Sequence, residues 1–293
     1  MTYFAEEVAS QPACWRQAAQ LAGKLPPILP RPGERVAVVG CGTSWFMAAA
    51  YAALREALGM GETDAFAASE APIGRAYDRV LAISRSGTTT EVLELLAQLA
   101  GQVPTVAVTA DPAAPVNTAA DEVVVLDFAD ERSVVQTRFA TSTLALLRTS
   151  LGQDLTQVVA DGETVLATEP EPALTDAEQM TFLGRGWTIG LASEAALKLR
   201  ESCLAWAESY PAMEYRHGPI SIAAPGRVVW AFGEVPAGLA KEVGDAGAAF
   251  EHSVLDPMAD LVRVHRLCEQ RAERLGIDPD RPRNLTRSVV LQT

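Results

Sequence analysis

Histidine is scarce in this chain: only three occur in 293 residues, at 217, 252 and 265. The four cysteines (Cys14, Cys41, Cys203, Cys268) have no Cys-x-x-Cys spacing and no His/Cys cluster, which argues against a zinc site or a disulfide framework and fits a reducing compartment. Basic residues are outnumbered, 24 Lys and Arg against 37 Asp and Glu, for a formal charge of -13. So acidic a chain is not drawn to nucleic acid or anionic membranes, and any anionic substrate must be held by local donors. No run of 18 or more apolar residues occurs. The opening stretch MTYFAEEVASQPACW lacks the basic-then-apolar order of a signal peptide. These absences predict a soluble cytoplasmic protein with no metal, no cofactor and no nucleic-acid or membrane partner.

The 48% hydrophobic content suffices for a large core, in one large domain or two medium ones. ACWRQAAQLAGKL (13 to 25) reads as an amphipathic lead-in helix, ended by the Pro-rich PPILPRPGE. RVAVVG (35 to 40) and RVLAIS (79 to 84) are short β-rich runs, each followed by a Gly/Ser/Thr turn and a helical pattern. PTVAVTA and DEVVVLD add two strands before a helical stretch over 133 to 151. Continuous apolar strands alternating with amphipathic helices predict parallel sheets covered on both faces. The order recurs in shorter form: strand 180 to 186, helix 188 to 209, strand 227 to 233, helix 257 to 276, with AAFEHSVLD as a further strand. The acidic segment LTQVVADGETVLATEPEPALTDAEQ separates the halves. The expected organisation is a lead-in over 1–34, an α/β subdomain over 35–170 and an abbreviated α/β subdomain over 171–293.

Two strand-to-helix turns carry candidate anion sites. In VVGCGTSWF the strand ends in Gly40-Cys41-Gly42-Thr43-Ser44, and in AISRSGTTTEV the residues Ser84, Ser86, Gly87, Thr88 and Thr89 crowd one turn. Backbone N–H groups at a helix N-terminus favour an anion, and this hydroxyl density suits a phosphate monoester. Ser, Thr and Gly are equally the ordinary residues of N-caps. Two such loops at the carboxyl ends of neighbouring parallel strands tilt the reading towards a ligand. A dinucleotide fingerprint would need glycine at position 45, which is Trp45.

Glu194, Lys198 and Glu201 stand at i, i+4 and i+7 of a predicted helix, on one face because seven residues fall only about 20° short of two turns. Two carboxylates flanking an ammonium can move protons; a solvated Glu-Lys-Glu stripe is the alternative. In MEYRHGP, His217 precedes Gly218-Pro219, and the proline biases Gly218 away from the helical region. A rigidly held imidazole suits catalysis, although a lone histidine in a turn is more often structural.

The stretches GCGTSW, SRSGTT, EAALKLRES, AESYPAMEYRHGPI and DPDRPRNLTRSVVLQT, in this order, resemble the sugar isomerase (SIS) family, in the branch of the glucosamine-6-phosphate synthase isomerase domains. The resemblance runs from EEVASQP to the last residues. It implies two doubly wound, flavodoxin-like subdomains, the second abbreviated, and a homodimer that binds a hexose 6-phosphate. It further implies that Ser84, Ser86 and Thr89, with the backbone at Arg85, cradle the phosphate, and that Thr43, Ser44 and Val134 meet the sugar. Glu201 matches the base that shuttles a proton between C1 and C2, with Glu194 and Lys198 in support. His217 matches a ring-opening histidine that reaches into the neighbouring subunit.

Three departures bear on the chemistry. Arg85 stands where the synthase carries Gln. The chain starts where the sugar domain starts, so the synthase's glutaminase domain is expected to be absent and ammonia from glutamine to require a partner. Arg287 aligns with the family's imine-forming lysine, and a guanidinium stays protonated and forms no imine. Arg287 could instead hold a substrate hydroxyl or acidic group by a forked contact. Aldose–ketose isomerisation or amino-sugar phosphate deamination is the expected activity. A non-catalytic phosphosugar sensor and, from another class, a nucleotide-binding α/β protein are the alternatives.

Overall fold

The structure, a computed structural model, describes residues 2–72, 74–169 and 171–291. Two helices open the chain, α1 (Tyr3–Ala9) and α2 (Gln11–Ala22). The chain forms two compact units, neither a single stretch of sequence. One comprises residues 13–132, 136–155 and 286–293, the other 1–12, 133–135 and 156–285.

The first unit holds a five-stranded, wholly parallel sheet of β1 (Val36–Gly40), β2 (Thr63–Ala67), β3 (Arg79–Ile83), β4 (Thr105–Thr109) and β5 (Glu122–Val125), in the order β2-β1-β3-β4-β5. Its helices are α3 (Thr43–Ala57), α4 (Thr90–Leu99), α5 (Val116–Ala119) and α6 (Arg138–Ser150). β1 and β4 are buried along their whole length and β3 from Val80 onwards, as apolar runs covered on both faces should be. Val92, Leu95, Leu96 and Leu99 of α4 pack on Val39, Val80 and Ala107 of the sheet.

The second unit adds α7 (Thr156–Ala167), α8 (Pro172–Thr175), β6 (Gln179–Gly184), α9 (Thr188–Cys203), β7 (Trp206–Pro211), β8 (Arg227–Ala231), α10 (Leu239–Asp245), β9 (Ala249–His252) and α11 (Pro257–Leu275). Its four strands are again parallel, in the order β7-β6-β8-β9. This is the topology of the first sheet without a fifth strand. The α/β class, the parallel sheets and the abbreviated second copy are as expected, and AAFEHSVLD does supply a strand.

Both sheets turn into their first helix at a glycine that tolerates no side chain. A Cβ on Gly40 would lie 2.7 Å from the Ser44 carbonyl carbon, and one on Gly184 would lie 2.3 Å from the Thr188 carbonyl oxygen. At each turn the helix backbone therefore sits directly over the strand end.

Several local expectations are corrected. The lead-in is two helices, and Gln11 rather than Ala13 begins the second. The helix expected from residue 133 begins at Arg138, because the Glu131 carboxylate accepts the amides of Thr137 and Arg138 at 2.5 and 2.8 Å and fixes the N-terminus there. The helix expected to run to residue 209 stops at Cys203: Leu204 adopts φ 54°, and residues 206–211 pair with β6 as a strand. Glu208 therefore belongs to β7, not to the helix of Glu194 and Glu201. The acidic connector contains α7, and β2 was not foreseen at all. Among the described residues no helix is long and apolar enough to cross a membrane.

Candidate functional site

In the five-stranded unit, β3 delivers the chain into the turn 84–89 and α4 begins at Thr90. Gly87 takes φ 61°, and a Cβ there would come within 2.6 Å of Ala114 and Val116 side-chain atoms. The turn is compact: the hydroxyl of Ser84 accepts the Gly87 amide at 3.2 Å, and that of Ser86 accepts the Thr88 amide at 3.3 Å. Thr89 occupies the N-cap of α4, yet its side chain makes no capping hydrogen bond. At the neighbouring turn, Gly42 takes φ 54°, and Thr43 and Ser44 lie buried in the first turn of α3.

The side chain of Arg85 points away from this turn into the protein. It is 1% exposed and faces the fully buried Glu131 carboxylate at 3.4 Å. Burial pushes the guanidinium below its ordinary value, and the Arg287 charge adds to this; Glu131 works in the opposite direction. Glu131 Oε1 also accepts the Thr137 hydroxyl at 2.9 Å, besides the amides that start α6. The second Arg85 arm donates to the Arg287 carbonyl at 3.1 Å. Arg287 itself is half-exposed, with its guanidinium divided between the Asp130 carboxylate and the Glu131 carbonyl. The following residues run along the turn. Thr88 donates to the Ser288 hydroxyl at 2.9 Å, the Thr90 amide donates to the Val289 carbonyl at 3.1 Å, and the Leu291 amide donates to the Thr90 hydroxyl at 2.9 Å.

In the four-stranded unit, α9 carries the acid/base candidates. Lys198 is fully buried, with Glu194 Oε1 at 3.5 Å and the Glu201 carboxylate in direct contact. Glu194 is 1% exposed and Glu201 19%. A solvated charge stripe is thereby excluded: one carboxylate and the ammonium are sealed, and Glu201 alone of the three reaches the surface. Such a buried ammonium, in contact with both carboxylates, holds their side chains in place. The unit adds a residue that sequence reasoning passed over. His265 of α11 is fully buried, its Nδ1 3.0 Å from the side-chain amide of Gln11. Burial, with Lys198 contributing, pushes its imidazole down to about 3, so it is neutral. Because the Gln11 nitrogen also donates to the Val8 carbonyl at 3.3 Å, His265 accepts at Nδ1 and carries its proton on Nε2. The signal available in the sequence was a histidine on the apolar side of α11.

His217 ends a short 3-10 turn (Glu214–His217) and is exposed, with no hydrogen bond to any described residue. The turn is held from behind. Tyr215 is buried, and Arg216 grips the Glu242 carboxylate at 2.7 and 2.9 Å and the Ala237 carbonyl at 2.8 Å. Gly218 takes φ 134°, outside the helical region as Pro219 requires. Val134 also lies in this unit, where its amide donates to the Asp280 carbonyl at 3.2 Å. The structure thus gathers Ser84, Ser86, Thr89 and Arg287 within one unit and Glu194, Lys198, Glu201 and His217 within the other. A cavity of about 230 Å³ beside β1 and α4, lined by Val39, Phe66, Tyr77 and Leu95 among others, contains none of them. No group of three or more His, Cys, Asp or Glu among the described residues is placed to hold a metal ion.

Comparison with known proteins agrees with the motif resemblance. No protein-family profile matches the chain. Glutamine-fructose-6-phosphate aminotransferase (isomerizing) of Gloeobacter violaceus is 29% identical over 88% of this chain and 52% of its own length. The protein of the same name from a Nostoc species is 27% identical over 95% of this chain and 55% of its own length. The chain thus spans about half the length of the curated relatives it matches. Among solved structures, glucosamine-6-phosphate deaminase from Thermotoga maritima superposes with a TM-score of 0.79 at 24% identity, covering 99% of this chain and 100% of that one. The C-terminal domain of glucosamine-fructose-6-phosphate aminotransferase from Francisella tularensis gives 0.75 at 22% identity, over 96% and 98% of the two chains. Tagatose-6-phosphate ketose/aldose isomerase from Escherichia coli gives 0.76 at 18% identity, over 95% of each. The chain shares the fold of these solved structures, two α/β units each built on a parallel sheet.

Proposed function

We propose that this chain, similar over most of its length to the isomerase part of glutamine-fructose-6-phosphate aminotransferases, is a phosphosugar enzyme that interconverts aldose and ketose forms or removes the amine of an amino-sugar phosphate. The observation that carries this reading is the buried Glu194–Lys198 pair with the part-exposed Glu201 on the same helix. An ammonium sealed beside two carboxylates fixes the orientation of Glu201, which a base for carbon-bound protons requires. The phosphate is held by the turn at Ser84, Ser86 and Thr89 and the amides around Arg85. His217, supplied by a second subunit of a homodimer, opens the pyranose. Glu201 takes the proton from C2 of the open aldose and returns it at C1 through a cis-enediol. With an amino sugar the same transfer gives an imine at C2, to which water adds, and ammonia leaves. No step requires an imine to the protein, which accommodates Arg287.

Solvent isotope exchange tests this directly. Incubated in deuterated water with fructose 6-phosphate or glucosamine 6-phosphate, the protein should exchange hydrogen at C1 or C2, and Glu201→Gln should abolish exchange while keeping hexose-phosphate binding. Undiminished exchange in that variant would sink the mechanism. Binding without exchange by the unaltered protein would support the sensor instead.

A further inference from the structure

Two of the departures from the family pattern, Arg85 and Arg287, meet in one network. Arg85 reaches out of the phosphate turn, and its two arms are taken by Glu131 Oε2 and by the backbone carbonyl of Arg287. The Arg287 guanidinium returns to the same segment, gripping the Asp130 carboxylate and the Glu131 carbonyl. With both arms engaged, Arg287 has little left to offer a substrate. The result of this grip is the placement of the terminal strip. Residues 288–291 lie along the turn, bonded to Thr88 and Thr90 at the N-terminus of α4.

We propose that Arg287 is a positioning residue. By clasping residues 130 and 131 it fixes the strip 286–291 against the phosphate turn, and through the strip and Arg85 it sets the geometry in which Ser86, Thr89 and the α4 amides meet a phosphate. This rests on the phosphosugar reading above. The position that in the family forms an imine has here become a clasp, and anion affinity rather than carbon chemistry depends on it.

Asp130, which belongs to neither candidate catalytic nor phosphate-binding set, provides the test. In the whole protein, Asp130→Asn should speed hydrogen–deuterium exchange at the Thr90 and Leu291 amides and weaken binding of glucosamine 6-phosphate and of inorganic phosphate, each by about fivefold, the scale of a half-exposed ion pair. Turnover at saturating sugar should stay within about twofold, on the same scale. Arg287→Ala should weaken binding to the same extent, and the double variant should be no worse than either single one. Arg287→Lys keeps a charge on Asp130 but loses the second arm, and should recover part of the affinity. The proposal is overturned if Asp130→Asn leaves affinity unchanged while Arg287→Ala weakens it, since Arg287 would then act on the substrate itself. Faster amide exchange with unchanged affinity also overturns it. If the unaltered protein binds no hexose phosphate, the functional reading fails, and amide exchange with inorganic phosphate affinity still decides the clasp.

Discussion

The two units share a topology and differ in the side chains they set on it. In each, the first strand ends at a glycine over which the next helix folds, and the third strand in chain order ends in a turn leading to another helix. In the five-stranded unit that later turn is Ser-Arg-Ser-Gly-Thr-Thr. Its counterpart after β8 is Phe-Gly-Glu-Val-Pro-Ala-Gly, with a glutamate and no hydroxyl. Conversely, α9 buries an ammonium between carboxylates in its second and later turns, whereas α3 carries Thr43 and Ser44 in its first turn and no Glu-Lys-Glu set further along. Repetition of the fold thus did not repeat its side chains: one copy carries the hydroxyl-rich turn at 84–89, the other the buried Glu-Lys-Glu face of α9, and the glycine turns are common to both.

This division can be broken by experiment. The largest effect should come from Glu201→Gln: turnover down by about 10²- to 10⁴-fold, with hexose-phosphate affinity within a few-fold of the original, in steady-state kinetics and calorimetric titration. Ser86→Ala combined with Thr89→Ala should do the reverse, weakening affinity by about 10- to 100-fold with a smaller change in turnover at saturation. Equal losses of both quantities in both variants would erase the distinction between the units. Next come the shared glycines. Gly184→Ala and Gly40→Ala should each cost ~3 kcal/mol or more of stability by urea titration, Gly184→Ala the more, because its Cβ meets backbone at the shorter distance.

The smallest effect, over the measured window from pH 6.5 to 5, is a pH dependence arising in the four-stranded unit. His265 titrates at about 3 when folded against an ordinary 6.5, so between these values the unfolded chain binds a proton that the folded chain refuses. Stability should therefore fall as pH drops from 6.5 towards 3, by up to ~1.4 kcal/mol per pH unit. His265→Gln should flatten that slope in urea midpoints measured at pH 6.5 and 5, and an unchanged slope would assign it elsewhere.

Much of this was legible in the sequence because the informative features are local. The runs RVAVVG, RVLAIS and RVVWAFG announce buried parallel strands, and the i, i+4, i+7 spacing of Glu194, Lys198 and Glu201 survives as one face of α9. What escaped notice was set by distant or composite causes. β2 (TDAFA) and β7 (WAESYP) lie at sheet edges, half-exposed and polar, so their composition does not read as strand. The end of α9 depends on Leu204 adopting a left-handed conformation with no glycine to signal it. The acidic character of residues 155–179 concealed α7, whose buried Val158, Val159 and Val165 lie among exposed charges. The ion pair of Asp130 with Arg287 spans 157 positions, and no short pattern could reveal it.

The attachment of α1 has a consequence in time. Its first amides, those of Tyr3 and Phe4, donate at 2.8 and 2.7 Å to the carboxylate of Asp280, some 277 residues later. On the ribosome the opening helix cannot reach its place until Asp280 has been made, whereas the five-stranded sheet can assemble as soon as residue 125 is free. The beginning of the chain is therefore among the last parts to settle, and a nascent chain arrested before residue 280 should expose Phe4 and Val8, which the finished protein buries.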